Sequence, residues 1–250
     1  MLRDGYRVTA EYEANHWWFR SRRELFLAQI RLASAARGYP GRRLRLLDYG
    51  CGTGFNLSFL APFGDVYGAD LLDAVPTEFR GGEDFPLLDL EADCSEYHGR
   101  FDVLTALDVL EHLADDLSGL ERMRRFVAPG GQMVLTVPAY RWLWSGEDVI
   151  SRHHRRYTRR TLVRAARAAG LVVRYASYFN FIVLPPMAMV IWARRLRSSS
   201  WATESNLTAG PSFLNAPLST VTRFEARMVG EERLRLPAGA SLVCRLEVPA

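Results

Sequence analysis

Lysine is absent, and all 32 basic residues are arginines. That excludes a lysine Schiff base to a cofactor or a carbonyl substrate. It also points to a coding bias, so arginine counts are discounted as a sign of function. Cysteine is scarce too: Cys51, Cys94 and Cys244 lie far apart, with no C-x-x-C. Three such residues make neither a disulfide framework nor a zinc site, which fits a reducing cytoplasm. Neither sign of charge dominates, and a net charge of +4 does not argue for a nucleic-acid partner. Residues 1–14 are polar and hold no secretory apolar stretch. The apolar segment Phe181 to Ala193 has thirteen residues, too few to span a bilayer. Apolar residues still make up 48% of the chain, enough for one full core with additions or a small two-domain protein.

What is present begins with an apolar run, Leu44 to Leu47, that reads as a buried parallel strand. It enters Asp48-Tyr49-Gly50-Cys51-Gly52-Thr53-Gly54 and then a helix carrying Leu57, Phe59 and Leu60. Alternate glycines let the chain turn sharply and bring bare backbone against a ligand. A helix N-terminus beyond them offers N–H groups to a polar or anionic ligand. A dinucleotide turn would need glycine where Phe55 stands, which disfavours an NAD(P) oxidoreductase. Asp48-x-Gly50-Cys51-Gly52-Thr53-Gly54 resembles motif I of the class I S-adenosylmethionine (SAM) methyltransferases. The resemblance implies a Rossmann-like α/β fold: a seven-stranded, mostly parallel sheet with helices on both faces and an antiparallel last strand. It implies SAM as cofactor, with the Asp48-led loop around its methionine part.

Asp65 to Asp70 reads as a second strand, and Asp70 lies sixteen residues beyond Gly54. An acid at that tip can accept both ribose hydroxyls. Phe85 to Leu90 is a short third strand. By the family's pattern Asp89 accepts the adenine amino group and Leu90 borders the ring; a solvated strand end is the alternative for Asp89. Phe101 to Leu107 is the fourth strand and leads into Asp108-Val109-Leu110-Glu111-His112. Cys51, Leu71, Leu107 and Asp108 complete the implied cofactor contacts. Leu117, Leu120, Met123, Phe126 and Val127 mark the buried side of a helix, which Pro129-Gly130-Gly131 ends before strand five, Gln132 to Val137.

Ser21 to Glu24 forms a capping box ahead of Leu25, starting a helix that ends near Gly38. Before it sits His16-Trp17-Trp18-Phe19-Arg20, which resembles the opening segment of one methyltransferase subgroup. It reads either as a hydrophobic plug or as a lid, with Trp18 at the cofactor and Arg20 or Arg23 facing the methionine carboxylate. Asp108, Glu111 and His112 are spaced to share one helical turn. In some quinone-type O-methyltransferases a similar set is taken to hold magnesium; His112 as a plain wall of the active site is the competing reading.

The segment after strand five hangs over the strand ends, where ligands of such sheets sit. Tyr140, Trp144, Arg155, Arg156 and Tyr157 are its candidate substrate contacts. His153 or His154 is the candidate general base, with His112 next. Thr158 caps a helix from Arg159 to Ala169. Leu171 to Tyr178 is strand six, and 181–197 is either a substrate-covering or core helix or an element on a membrane surface. Ser198 to Pro211 reads as a mobile loop, and the sequon at Asn206 as chance. Leu214 to Val229 is helical and Ser241 to Val248 is the last strand.

Three parts follow: a helical lid over 1–41, a SAM-binding core over 42–180, and a completing region over 181–250. The expected reaction is methyl transfer to a small-molecule acceptor in the cytoplasm. No Asn/Asp-Pro-Pro-Tyr motif follows strand four, which favours a hydroxyl acceptor over N- or C-methylation. A SAM-binding module that transfers nothing would carry the same binding motifs.

Overall fold

Apolar runs become strands buried on both faces of one sheet. In the computed structural model, which describes residues 3–79, 84–197 and 215–250, the first five are β1 (Leu44–Tyr49), β2 (Gly64–Asp70), β3 (Leu87–Asp89), β4 (Phe101–Leu107) and β5 (Val127–Pro138). β6 (Val172–Phe179) and β7 (Ser241–Glu247) complete the order β3-β2-β1-β4-β5-β7-β6. Pairings among β1 to β5 are parallel, and β7 inserts antiparallel between β5 and β6. The chain winds outward in both directions from β1 and β4. Their carboxyl ends, at Tyr49 and Leu107, therefore flank the crevice where such sheets take ligands.

Side chains alternate across the strands and divide the core into two layers. Leu47, Leu104 and Leu135 face α4 (Asp116–Phe126) through Leu120, Met123 and Phe126. Leu46, Val103 and Val134 face α2 (Trp17–Ala36) through Phe26, Ile30 and Ala33. Leu117, expected on the buried side of α4, is exposed in its first turn. The Pro129-Gly130-Gly131 turn sits inside β5, where the register slips between the Phe101–Val127 and Val103–Gln132 pairs.

Two helices differ from expectation. α2 starts four residues before the Ser21 capping box, because its apolar stripe continues back through Trp18. His16 accepts the Trp18 N–H, and Asn215, far away in sequence, accepts the Trp17 N–H at 2.7 Å. Ser21 is buried and donates to the Trp18 carbonyl. α3 (Leu57–Leu60), after the glycine loop, is a single turn, continued by a 3-10 turn that contains Pro62. Gly64 then lets β2 lie against the Leu44 carbonyl, where a Cβ would collide.

α2 also packs on α8 (Asn215–Gly230): the Gln29 amide donates to the Gly230 carbonyl, and Gly230 lies against Leu25 and Ala28. Residues 1–41 thus hold two different things, a helix built into the main layer and a shorter α1 (Arg3–Glu13) ahead of it. The expected loop from Ser198 to Pro211, with the Asn206 sequon, lies outside the described residues.

Candidate active site

Gly50, Gly52 and Gly54 all adopt positive φ, at 76°, 59° and 75°, a region that side chains rarely tolerate. A Cβ on Gly50 would stand 2.5 Å from Val109 Cγ2, so the loop and the tip of β4 close on each other. Gly50 and Cys51 N–H groups donate to the Ala69 carbonyl. Asp70 then ties the loop to β2: Oδ2 accepts the Gly52 N–H and Oδ1 the Leu71 N–H, each at 2.7 Å. A carboxylate has about four acceptor sites, so both oxygens keep capacity for ribose hydroxyls. Asp70→Ala is expected to weaken SAM binding by roughly 30- to 150-fold, on the order of 2–3 kcal/mol. Calorimetry that finds the affinity unchanged would remove Asp70 from the site.

The other expected cofactor residues divide into liners and supports. Asp48 is buried beneath the loop and accepts the Thr105 hydroxyl at 2.6 Å; burial pushes its pKa up to about 7. Cys51 turns its thiol to the core beside Gly68, so only its backbone faces the crevice. Asp89 is half-buried with one oxygen on the Glu91 N–H, Leu90 is buried, Leu71 is exposed and Leu107 half-buried. These positions fit an adenosine-bearing cofactor: bare backbone at the turn and an acid at the β2 tip.

Of the plug and lid readings of His16 to Arg20, the packing of Trp18 matches the plug. α1 is the segment over the glycine loop: Tyr6 is buried against Gly52, Glu13 accepts the Thr53 hydroxyl at 2.8 Å, and Arg7 pairs with Glu78. Arg23 lies on the rings of Phe55 and Phe59 and donates to the Glu13 carbonyl. Trp18 instead joins a cluster with Leu143, Ile191 and Ala240. Arg20 is half-buried and off the inner stripe of α2. Arg22, missed from the sequence, is the arginine carried inward. It pairs with Asp108, donates to Ser241 Oγ at 3.0 Å and lies 4.9 Å over the Trp18 ring. Its spacing from Trp18 and Leu25 was the available signal.

Asp108 itself takes a left-handed conformation, φ 57°, and also accepts from Thr136. One 3-10 turn follows, Leu110 to His112, so no α-helical turn presents Asp108, Glu111 and His112 together. Asp108 turns to Arg22, and His153 takes its place. Candidate ligand atoms of Glu111, His112 and His153 lie within 4.8 Å of one another. The magnesium alternative through Asp108, Glu111 and His112 is thereby corrected, since Asp108 is not in the cluster. A carboxylate with two imidazoles suits a transition ion, whereas magnesium prefers oxygen ligands.

Glu111 is fully buried, and neither carboxylate oxygen has a hydrogen-bond partner among the described residues. Burial, reinforced by the charge of Asp108, raises its pKa well above the ordinary value. Burial and the adjacent His153 lower that of His112 to about 3. The two histidine rings meet edge-on at 4.6 Å.

His153 is held from behind. α5 (Gly146–Ile150) carries Asp148, which caps its own helix by accepting the Ser145 N–H at 2.7 Å. Asp148 Oδ1 lies 2.9 Å from His153 Nδ1, and Arg156 clamps the same carboxylate at 2.7 and 2.8 Å. An acceptor-only carboxylate makes Nδ1 the donor, so in the neutral form of the ring Nε2 carries the lone pair.

A cavity of about 680 Å³ opens here, lined by Arg141, Trp144, His153, His154, Arg155 and Arg156. Not all the expected substrate contacts are free to serve it. Arg156 is committed to Asp148 and to the Ala139 carbonyl. Tyr157 is buried, with its hydroxyl on Asp116, and Arg155 pairs with the same acid at 3.0 Å. Tyr140 stacks between Trp142 and Tyr178. His154 is exposed, its backbone N–H on the Glu111 carbonyl. These residues fasten the loop after β5 to the tip of β4.

A parallel sheet with a glycine turn, a β2-tip acid and a cavity lined by the loop after β5 defines an enzyme working on an adenosine-bearing cofactor. The chain belongs to the methyltransferase domain family, which it matches over residues 19–176. It is a SAM-dependent transferase of that family. The ubiquinone biosynthesis O-methyltransferase of Pseudomonas aeruginosa (strain UCBPP-PA14) is 30% identical over 142 residues, 51% of this chain and 60% of that protein. The match therefore spans less than two thirds of that relative. Among solved structures, a chain in the complex of the Haloferax volcanii Trm112 methyltransferase activator with a methyltransferase superposes with a TM-score of 0.57. It is 17% identical and covers 100% of this chain and 98% of its own. The cyclase SpnF gives 0.51 at 18% identity, over 88% of this chain and 80% of its own. At such identities the likeness shows the fold alone.

Proposed function

We propose that this chain methylates a hydroxyl oxygen of a small, glycan-like, lipid-linked or secondary-metabolite acceptor, with His153 as the general base. The observation that carries this reading is the Asp148–His153 pair aimed at the cluster of Glu111 and His112. Bound SAM supplies a methyl group already activated by the sulfonium charge. The protein's part is to align the acceptor, exclude water and take its proton. Asp148 fixes the His153 ring so that Nε2 receives the hydroxyl proton. Burial pushes the Glu111 carboxyl above its ordinary range and the His112 imidazole below its own, both shifts favouring the uncharged form beside His153. The name of the P. aeruginosa relative supports oxygen as the acceptor atom.

A second reading rests on the orphaned Glu111 carboxylate. Glu111, His112 and His153 would hold a divalent transition ion, with Asp148 orienting His153 from behind. The ion would acidify the acceptor hydroxyl in place of a free base.

The test is incubation with SAM and a panel of catechols, sugars and amines, with and without chelator, following S-adenosylhomocysteine and the methylated atom. Product on oxygen is expected. Turnover with amines alone would overturn the oxygen assignment, and SAM binding without turnover on any acceptor would mark a non-catalytic module. Turnover lost to chelator and restored by manganese or zinc would favour the second reading.

A further inference from the structure

From Pro185 to Leu196 the residues exposed on the helix after β6 are all apolar, where a surface helix ordinarily carries its polar face. α7 (Leu184–Arg197) turns Leu184, Met187, Ala188 and Ile191 inward, at helical spacing, onto Leu143 and Ala240. Its opposite side exposes Met189 at 68%, Trp192 at 57% and Leu196 at 88%, with Pro185, Pro186, Val190 and Ala193 also exposed. Phe181 and Ile182, just before the helix, are exposed as well. Scattered apolar residues on a surface are ordinary; a contiguous row of them marks an interaction site.

The row is held outward by polar contacts at both ends. Glu225 of α8, itself buried, accepts the N–H groups of Phe181 and Ile182 at 3.0 Å each. At the other end the Arg195 guanidinium donates to the carbonyls of Trp142 and Trp144. Trp142 is exposed, and Trp144 lines the acceptor cavity with Arg141. α7 is thereby fastened to the cavity wall with its apolar side away from the protein.

We infer that this face docks on the interface of an anionic bilayer. No described helix is long and apolar enough to cross a membrane, so the helix would lie in the interfacial plane. Its only charged residues are Arg194, Arg195 and Arg197, with no acid between 181 and 197, the sign that anionic headgroups attract. Trp192 and Trp142 bring indole rings, which favour the boundary between headgroups and chains. Docking there sets the mouth of the cavity against the surface, within reach of an acceptor that keeps its hydrocarbon part in the bilayer. That consequence rests on the proposed acceptor site; the docking itself does not.

The experiment is co-sedimentation of the full chain with phosphatidylglycerol–phosphatidylcholine vesicles at low salt, followed by phosphatidylcholine alone and by added salt. Binding to the anionic vesicles is expected, at least tenfold weaker on phosphatidylcholine or in high salt. The double variant Met189→Glu, Trp192→Glu should lose binding while its circular dichroism and SAM affinity stay those of the parent. A parent protein that stays in the supernatant with anionic vesicles overturns the inference, as does binding that the double variant keeps. A parent dimer that the variant dissociates, with no vesicle binding, assigns the face to a second copy and overturns it too. Vesicle binding that appears only when residues 198–214 are deleted overturns it in favour of that segment as the cover. None of these readings needs turnover, so their failure is separable from failure of the proposed reaction.

Discussion

His153→Gln is expected to cut turnover by roughly 100- to 10,000-fold, the usual worth of a positioned base, while SAM affinity stays unchanged. Glutamine keeps a polar side chain of similar reach but cannot take a proton. The cofactor loop, Asp70 and Arg22 touch other elements, so calorimetry with SAM should read the same for both proteins. His154→Gln is the contrast. Its side chain is exposed and only its backbone N–H is engaged, on the Glu111 carbonyl, so turnover should hold within a few-fold. His112 stands beside His153 and is half-buried, and it is the residue whose pKa falls to about 3. If His153 serves as a metal ligand, the same variant also loses bound metal by elemental analysis. Full turnover of His153→Gln at saturating acceptor would end its assignment as base and as ligand alike.

The cofactor half of the site was legible because its parts are local in sequence. Three glycines, one acid at the next strand tip and the apolar strands themselves need no distant partner to be read. The acceptor half was legible only as a region. Arg156 and Tyr157 read from the sequence as substrate contacts, yet their partners, Asp148 and Asp116, arrive from α5 and from the start of α4. The choice of His153 over His154 follows from Asp148, whose capping pattern with Ser145 gives no hint of a second role. A run of arginines carries no phase until the helix start is known, so the sequence points to Arg20 and Arg23 instead of Arg22. The capping box points to a start at Ser21, whereas Asn215, which helps to fix the true start, is on the last helix.

Asp148→Ala is expected to destabilise the fold by about 3–5 kcal/mol at neutral pH and to lower turnover with it. Asp148 is fully buried and accepts from His153, from Arg156 twice and from Ser145. Removing it strands the largely buried Arg156 guanidinium without its counter-charge, and that stranded charge is the main cost. Asp148→Asn keeps the volume but turns an NH₂ toward donors, so it should lose less stability and still misplace the His153 ring. The pH dependence has a definite sign. Burial alone would raise the Asp148 pKa, but the hydrogen bonds from His153 and Arg156, with the charge of Arg156, hold it well below the carboxylate range. A depressed carboxylate stabilises the fold above its unfolded value, about 3.9, and loses that contribution as pH falls toward its folded value. The stability gap between parent and Asp148→Ala should therefore be flat from about pH 5 to 8 and narrow below about pH 4. Urea denaturation at pH 7, 4 and 3 measures it. A gap under about 1 kcal/mol at pH 7, or one that widens in acid, would show that Asp148 does not hold this loop together.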